Sequence, residues 1–584
     1  MIICGVAMTR KILITKQHHT LLATCTLLPF LLLNNHANIG CDALISSKKF
    51  DVFCRYSPYN QRDLNERDQH LNGLQATSIP ELFSVAPMMG HTHRHYHYYF
   101  RHFSKYATLY TEMIPAGQVV SAYEQVLSKQ KQSTSAMARL CYDEIQEVLQ
   151  SRERSEPCLL DSILKLMTPS KGLNGPQNGP IVLQLGGRNP ELLALATAIG
   201  TLYGYDGINL NCGCPSNAVS SGSRSGGAAL MREPELVAQC VEEMSKAAER
   251  MTRAVQSSSL AEPSLSIPEL SVKHRLGVHE AATYNAGADH LQGDTESHQQ
   301  CREFVRLVTL GSHVSKVQVH ARLGLLGDFD ANSDNNDSEE ERATLWVPGQ
   351  DSTSSASTSK KVDHKRLQYR AKQRARQATI KNRSVPPLRP GVVDRIAEDF
   401  PHLRVVTNGG IQSIEDIEQR LRLDESLGRD KGVVLGAMVG RAAINHPCSF
   451  AGVDSLWVGD ESRDNVPTRE DVLLDYIQYC QREEDASGIN YPDLSMAAVR
   501  RKLVAVPFHL FVGEAGNEGY QRRIRKLLSR ADRYTSAGIL TAALAEVPAE
   551  SLIKPLNQFS TTLEDIPVYT SSFKRSGPLQ RMIA

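Results

Sequence analysis

The sequence predicts a (β/α)8 TIM barrel followed by a smaller C-terminal α-helical domain, an α/β fold class resting on three observations. Short apolar runs recur eight times between residues 80 and 446, each trailed by a Gly-bearing or polar loop and a helical stretch. No GxGxxG follows the first run, which disfavours the runner-up, an open doubly wound sheet. Beyond residue 460 the strand rhythm stops and apolar residues fall at helical spacing. A chain of 584 residues also exceeds one compact domain, so two or three with linkers are expected.

Taken in order, residues 1–78 read as a targeting or disordered segment. Arg10, Lys11 and Lys16 precede an apolar run from Leu21 to Leu33 that Pro29 interrupts, too short to span a bilayer and suited to a signal-type core. Small residues follow (Ala37, Gly40, Ala43). A secretory signal, an organelle presequence (plastid or mitochondrion) or a poorly defined N-terminus all fit, with cytoplasm as the alternative address. No other stretch suits a transmembrane helix, so no stable membrane insertion is expected after processing.

The barrel is assigned to 79–455, with strands at 83–88, 108–112, 181–185, 207–211, 270–274, 316–320, 404–407 and 432–439. Three segments interrupt it. Residues 126–178 hold a predicted helix at 136–152 and a Gly/Pro/Asn-rich stretch; residues 253–268 are Ser/Pro-rich. The largest runs from 327 to 380 or just beyond. Seven acids lie between Asp328 and Glu341, then a Ser/Thr tract, then ten Lys/Arg against one Asp from Lys360 to Arg383. Such a composition cannot bury a core, except for a basic helix at 362–381. The basic half reads either as an RNA-phosphate contact or as a solvated insertion whose halves neutralise one another. Helical stretches at 469–482, 495–512 and 519–537 make the second domain, 460–548, and 549–584 reads as a loose tail.

Bulk properties exclude little. With 65 Lys+Arg against 64 Asp+Glu, any nucleic-acid partner must come from local asymmetry. The 12 cysteines form no CxxC pair, which supports neither a zinc site nor a disulfide scaffold and fits a reducing compartment.

Chemistry gathers at the strand ends. Asn211-Cys212-Gly213-Cys214-Pro215-Ser216 follows a buried strand, where a cysteine is displayed to the cleft and can act as acid or nucleophile; the alternative is a buried structural cysteine. The first strand ends Ala86-Pro87-Met88, the third carries Gln184, the fifth Lys273 and Arg275, the sixth His320 and Arg322. The seventh ends Asn408-Gly409-Gly410 and the eighth Gly440-Arg441, the glycine loops that commonly bind phosphate in a barrel. A lysine beside a flavin's pyrimidine edge stabilises the charge of the reduced ring.

In these segments the chain resembles the tRNA-dihydrouridine synthases, most nearly their A-type (20/20a) branch. The resemblance runs from residue 84 to about 446, through Ser84–Met89, Leu109–Met113, Leu183–Gly187, Gly204–Ser216, Val272–Gly277, Val319–Arg322, Asn382–Leu388, Asn408–Gly410 and Met438–Arg441. It implies an FMN barrel and a helical domain that together clasp the tRNA elbow, with NADPH reducing the flavin and the flavin reducing a D-loop uridine. Carried over by position, Pro87, Met88, Gln184, Lys273, His320, Asn408, Gly409, Gly410, Gly440 and Arg441 would hold FMN. Asn211 would contact the flipped-out uracil and Cys214 would protonate it at carbon 5, while hydride reaches carbon 6. Arg322 and Arg383 would address tRNA near the substrate. Arg522 and Arg523, with Arg525, resemble the family's tRNA-gripping arginines, although an ordinary basic helix face also fits them.

Departures from the family pattern are local. Cys212 stands where relatives carry an apolar residue and, one strand position from Asn211, points to the other face, towards core packing. His91, His93, His95 and His97 alternate like a metal cluster, but only His95, after Arg94, matches the family pattern; a polar loop and first helix near the barrel mouth is expected there, and no metal. A monomer is expected. The rival functions are an FMN barrel oxidoreductase acting on a small pyrimidine or enone, and a tRNA-binding module without catalysis.

Overall fold

The computed structural model describes residues 80–129, 145, 159–164, 179–216, 226–257, 266–311, 313–327, 382, 385–421, 434–458, 466–491 and 493–560. All of them belong to one compact unit. Eight parallel strands close a barrel: β1 Phe83–Val85, β2 Thr108–Tyr110, β3 Ile181–Gly186, β4 Gly207–Cys212, β5 Glu269–Arg275, β6 Lys316–His320, β7 Arg404–Asn408 and β8 Gly436–Val439. Each pairs with the next in sequence, and β1 pairs with β8 to shut the ring. The helices that follow them are α1 Arg94–Phe100, α2 Ala116–Lys129, α3 Pro190–Leu202, α4 Pro234–Ser257, α5 Ala286–Val308, α6 Pro390–Asp399, α7 Ile414–Leu421 and α8 Arg441–Asn445.

The alternation along each strand explains why it belongs in a barrel wall. In β4, Ile208, Leu210 and Cys212 face outward into the apolar layer under the helices, while Asn209 and Asn211 face the barrel axis. The helices start where the sequence says they should. Pro190 opens α3 behind Asn189, whose side chain accepts from Leu192 N at 2.8 Å.

The C-terminal helices are α9 Arg469–Asp485, α10 Met496–Ala505, α11 Asn517–Leu528 and α12 Ser536–Leu544. They share one core with the barrel: Val472, Tyr476 and Tyr479 of α9 lie in the same apolar cluster as Phe83, Tyr99 and Phe100. A capping box between Thr468 and Asp471 starts α9.

Several boundaries differ from expectation. β1 stops at Val85, because Pro87 has no N–H with which to continue the ladder. The strand expected from 432 begins at Gly436. α2 runs to Lys129 and α4 to Ser257, so both interruptions begin later than their composition suggests. The stretch 519–537 is two helices, divided where Thr535 caps α12 by accepting from Gly538 N. Proline 507 turns the end of 495–512 into a separate 3-10 turn, Val506–His509. Residues 549–560 are not loose. Ala549–Leu552 is helical, and buried Arg469 donates to Pro555 O at 2.7 Å and Gln558 O at 2.8 Å. The helix expected at 136–152 (save Ile145), the insertion 327–380 (save Gly327) with its basic helix, and residues 1–78 lie outside the described residues. Among the described residues, no helix is long and apolar enough to cross a membrane.

Candidate active site at the barrel mouth

The carboxyl ends of the strands bring most of the expected residues to one mouth. Asn211, near the end of β4, is the pivot. Its Oδ1 accepts from Gly213 N at 3.0 Å and Cys214 N at 3.1 Å, an Asx-type turn that bends the chain off the strand. Its Nδ2 donates to Gln184 Oε1 at 3.0 Å, joining β4 to β3. The peptide of Cys214 is fixed from the other side, where its carbonyl accepts from Ala228 N at 2.9 Å. Cys214 is therefore half-exposed on an anchored loop. Cys212 is fully buried in the outer apolar layer, and burial raises its thiol pKa well above the ordinary range. Cys212 is the last residue of β4, whereas Cys214 stands on the loop beyond it.

Sequence reasoning named Arg275 without giving it a task. It lies two residues past Lys273, so it shares the inward face. Its Nε donates to Gly213 O at 2.7 Å and its Nη1 to Leu323 O at 2.8 Å, so it staples the cysteine loop to the loop after β6. Two further residues were missed. Thr111 accepts the backbone N–H of Gln184 at 3.0 Å, and Glu112 accepts that of Gly90. Both stand just beyond β2, where only a polar run after an apolar one marks them.

Beside the cysteine loop the mouth is cationic. Lys273 donates to Asn408 Oδ1 at 3.1 Å, and Asn408 in turn donates to Met438 O at 2.7 Å. Burial, with Arg275 nearby, pushes the Lys273 ammonium down to about 7, with Cys214 acting the other way. His320 is held well below its usual range by burial and by Arg275, Lys273, Arg322 and Arg441. Burial likewise lowers Arg441, and lowers Arg322 with help from Arg441. These groups crowd one another as like charges, the condition under which an anion is welcome.

The glycine loops meet the backbone demands of such a site. Gly409 and Gly410 have φ of 121° and 83°, which L side chains rarely adopt. A Cβ at Gly409 would also stand 3.1 Å from His320 Cδ2 and 2.9 Å from Leu388 Cδ2. Gly440 borders Met88, whose sulfur would be 4.0 Å from an added Cβ. Pro87 and Met88 are half-buried on the turn after β1.

Of the expected tRNA contacts among the described residues, Arg322 stands at the mouth and the others stand on α11. Arg322 donates to Pro386 O at the mouth. Arg383 lies outside the described residues. Arg522 is exposed on α11, whereas Arg523 is half-buried with its Nε enclosed. Arg525 is exposed over the Phe508 ring, 4.9 Å from its centroid.

The histidines after β1 hold the barrel to the helical region. His95 shares hydrogen bonds with Tyr479 OH at 2.5 Å and Tyr491 OH at 2.7 Å. Beside it, Arg94 pairs with Glu483 at 2.7 Å. His97 faces Tyr110 O at 3.0 Å, and burial pushes it down to about 4. Among the described residues, no three His, Cys, Asp or Glu groups are arranged to share a metal ion.

A family profile described as Dihydrouridine synthase matches residues 84–164 and 161–339. A Synechocystis protein named tRNA-dihydrouridine(20/20a) synthase is 30% identical over 399 residues, 68% of this chain and 78% of the relative. A Pseudomonas aeruginosa protein of the same name is 27% identical over 452 residues, 77% of this chain and 90% of the relative. One from Shewanella oneidensis is 27% identical over 470 residues, 80% and 94% respectively.

Proposed function

The chain belongs to the dihydrouridine synthase family, and from that membership we propose that it reduces a D-loop uridine of tRNA, at position 20 or 20a, using bound FMN and NADPH. The observation that carries the proposal is the anchored, half-exposed Cys214 beside Asn211, facing a cationic mouth with two left-handed glycines.

The donor set fits FMN. Gly409, Gly410, Gly440 and Arg441 would hold the phosphate, where glycines let backbone N–H groups approach an anion and Arg441 adds charge. His320 and Asn408 border the same loops, and Pro87 and Met88 supply apolar contact. Gln184 and Lys273 would face the pyrimidine edge. Lys273, near 7 in the free protein, would take up a proton when a negative ring approaches. When bound, the flavin supplies hydride to carbon 6 of uracil.

The remaining work falls to this chain's side chains. Asn211 would orient the extruded base by hydrogen bonding. Cys214 would deliver its Sγ proton to carbon 5 and regain one from solvent, which its partial exposure allows. Exposed Arg522, Arg525 and Lys526 along α11 support an RNA substrate over a free pyrimidine.

The test compares substrates. Purified protein with FMN and NADPH should convert uridine in transcribed tRNA to dihydrouridine and leave free uracil untouched. Turnover of uracil without turnover of tRNA would favour the small-pyrimidine reductase instead.

A further inference from the structure

The barrel interior carries a hydrogen-bonded line that reaches Gln184 and Asn211 through four residues the reaction as described does not use. It starts near the barrel floor at Glu81, whose carboxylate is paired with Lys316 at 2.6 Å. Tyr110 OH donates to Glu81 at 3.1 and 3.2 Å. Gln318 Nε2 donates to Tyr110 OH at 2.7 Å, and Asn209 Nδ2 donates to Gln318 Oε1 at 2.8 Å. Gln184 Nε2 then donates to Asn209 Oδ1 at 2.7 Å, and Asn211 Nδ2 to Gln184 Oε1 at 3.0 Å. The line ends where Asn211 Oδ1 receives the N–H groups of Gly213 and Cys214. Every member is buried; Tyr110, Gln318 and Asn209 have no exposed surface.

The line runs one way. Each donor points towards Glu81 and each acceptor towards the cysteine loop. A carboxamide can turn over and exchange its N and O, but here both ends forbid it. An ionised carboxylate only accepts, and a backbone N–H only donates. Turning Asn211 alone would set its NH2 against two N–H groups, and turning Gln184 alone would set donor against donor and acceptor against acceptor. Inside a barrel either mismatch leaves buried polar groups unpaired, which costs far more than a typical hydrogen bond gains.

We infer that Glu81, Tyr110, Gln318 and Asn209 are positioning residues that lock the Gln184 and Asn211 carboxamides in one orientation, so that Asn211 presents its second N–H to the mouth and selects a carbonyl oxygen on the target base. The inference rests on the uridine-reductase reading only for the base. The relay itself is a property of this chain. Uracil offers carbonyl oxygens on either side of its ring N–H. The amino group that cytosine carries instead of one of them would meet the Asn211 donor with another donor.

A double-mutant cycle on the full-length, FMN-loaded protein tests the relay. Tyr110→Phe removes only the hydroxyl between Gln318 and Glu81. The kcat on tRNA should fall by about three- to tenfold, the worth of one buried hydrogen bond, with the KM for tRNA unchanged. In an Asn211→Ala background the same change should do almost nothing, because its route to the substrate is gone. An equal loss in both backgrounds would mean general loosening and would overturn the relay. FMN affinity, read by fluorescence quenching, should weaken by about the same factor in Tyr110→Phe through Gln184.

If Tyr110→Phe does not fold, the wild-type protein still decides the matter. The side-chain amide signals of Asn209, Gln184 and Asn211 should each appear as one slowly exchanging set in nitrogen-15 NMR. Two sets, or exchange as fast as at surface amides, would refute a locked line. A chain that reduced no tRNA uridine would sink the function reading while leaving this amide result intact.

Discussion

The two faces of β4 are made from one six-residue strand and obey opposite rules. Outward, Ile208, Leu210 and Cys212 lie in an apolar layer where shape and volume decide the energy. Inward, Asn209 and Asn211 are just as buried, yet every contact that matters there is a directed hydrogen bond. The contrast separates folding from function. Removing atoms outside costs stability, whereas removing them inside changes what the mouth offers a ligand.

The largest effect that would sharpen this contrast is Cys214→Ala. Dihydrouridine formation should fall by about 10²–10⁴-fold, the usual worth of a positioned acid, while flavin binding and the melting temperature hold. Product formed at the wild-type rate would remove Cys214 from the chemistry.

Leu210→Ala should do the reverse. It should cost about 2–5 kcal/mol in denaturant unfolding and leave the turnover of the folded fraction near wild type. A catalytic defect without a stability defect would erase the distinction between the faces.

Cys212→Ser comes next. A hydroxyl in a layer without a partner should destabilise by about 1–3 kcal/mol, again with turnover per folded molecule preserved. Strong loss of activity in a stable Cys212→Ser protein would return this thiol to the mechanism.

A further effect concerns pH. Lys273, with a folded-state pKa pushed down to about 7, sits below its unfolded value of about 10.4. Between those values the unfolded chain binds more protons, so the stability contributed by this site rises with pH. The flavin-free Lys273→Met protein should therefore melt above wild type at pH 6, and the gap should narrow as pH climbs from 7 towards 10. A constant gap would mean that Lys273 is not buried as a cation.

Much of this organisation was visible in the sequence, for local reasons. Several barrel strands alternate apolar and polar residues, and Asn209, Asn211, Gln184 and Gln318 stand at inward positions. The glycine pairs and Lys273 lie at strand ends, where a barrel carries its chemistry. What escaped was non-local. The sequence places His95 in a polar loop and first helix but gives no sign of its partners, Tyr479 and Tyr491, which are 384 and 396 residues away. The packing of 549–560 escaped for the same reason, since only the buried guanidinium of Arg469 explains it. The short pair of strands Val278–Glu280 and Gly324–Leu326 is too brief to show any periodicity. In α11 the helical spacing was legible, but the register that exposes Arg522 and half-buries Arg523 depends on what the helix packs against.

Asn382 accepts from Leu325 N at 2.7 Å and donates to Leu325 O at 2.8 Å, so one amide side chain imitates a neighbouring strand across 57 residues. In evolutionary terms this clasp is a cloakroom peg. For a flexible chain hung between two such ends, doubling the length adds only about 0.6 kcal/mol of closure entropy. A lineage could lengthen, trim or recompose that segment repeatedly without renegotiating the fold. A protein engineer could use the same position to splice in a foreign domain.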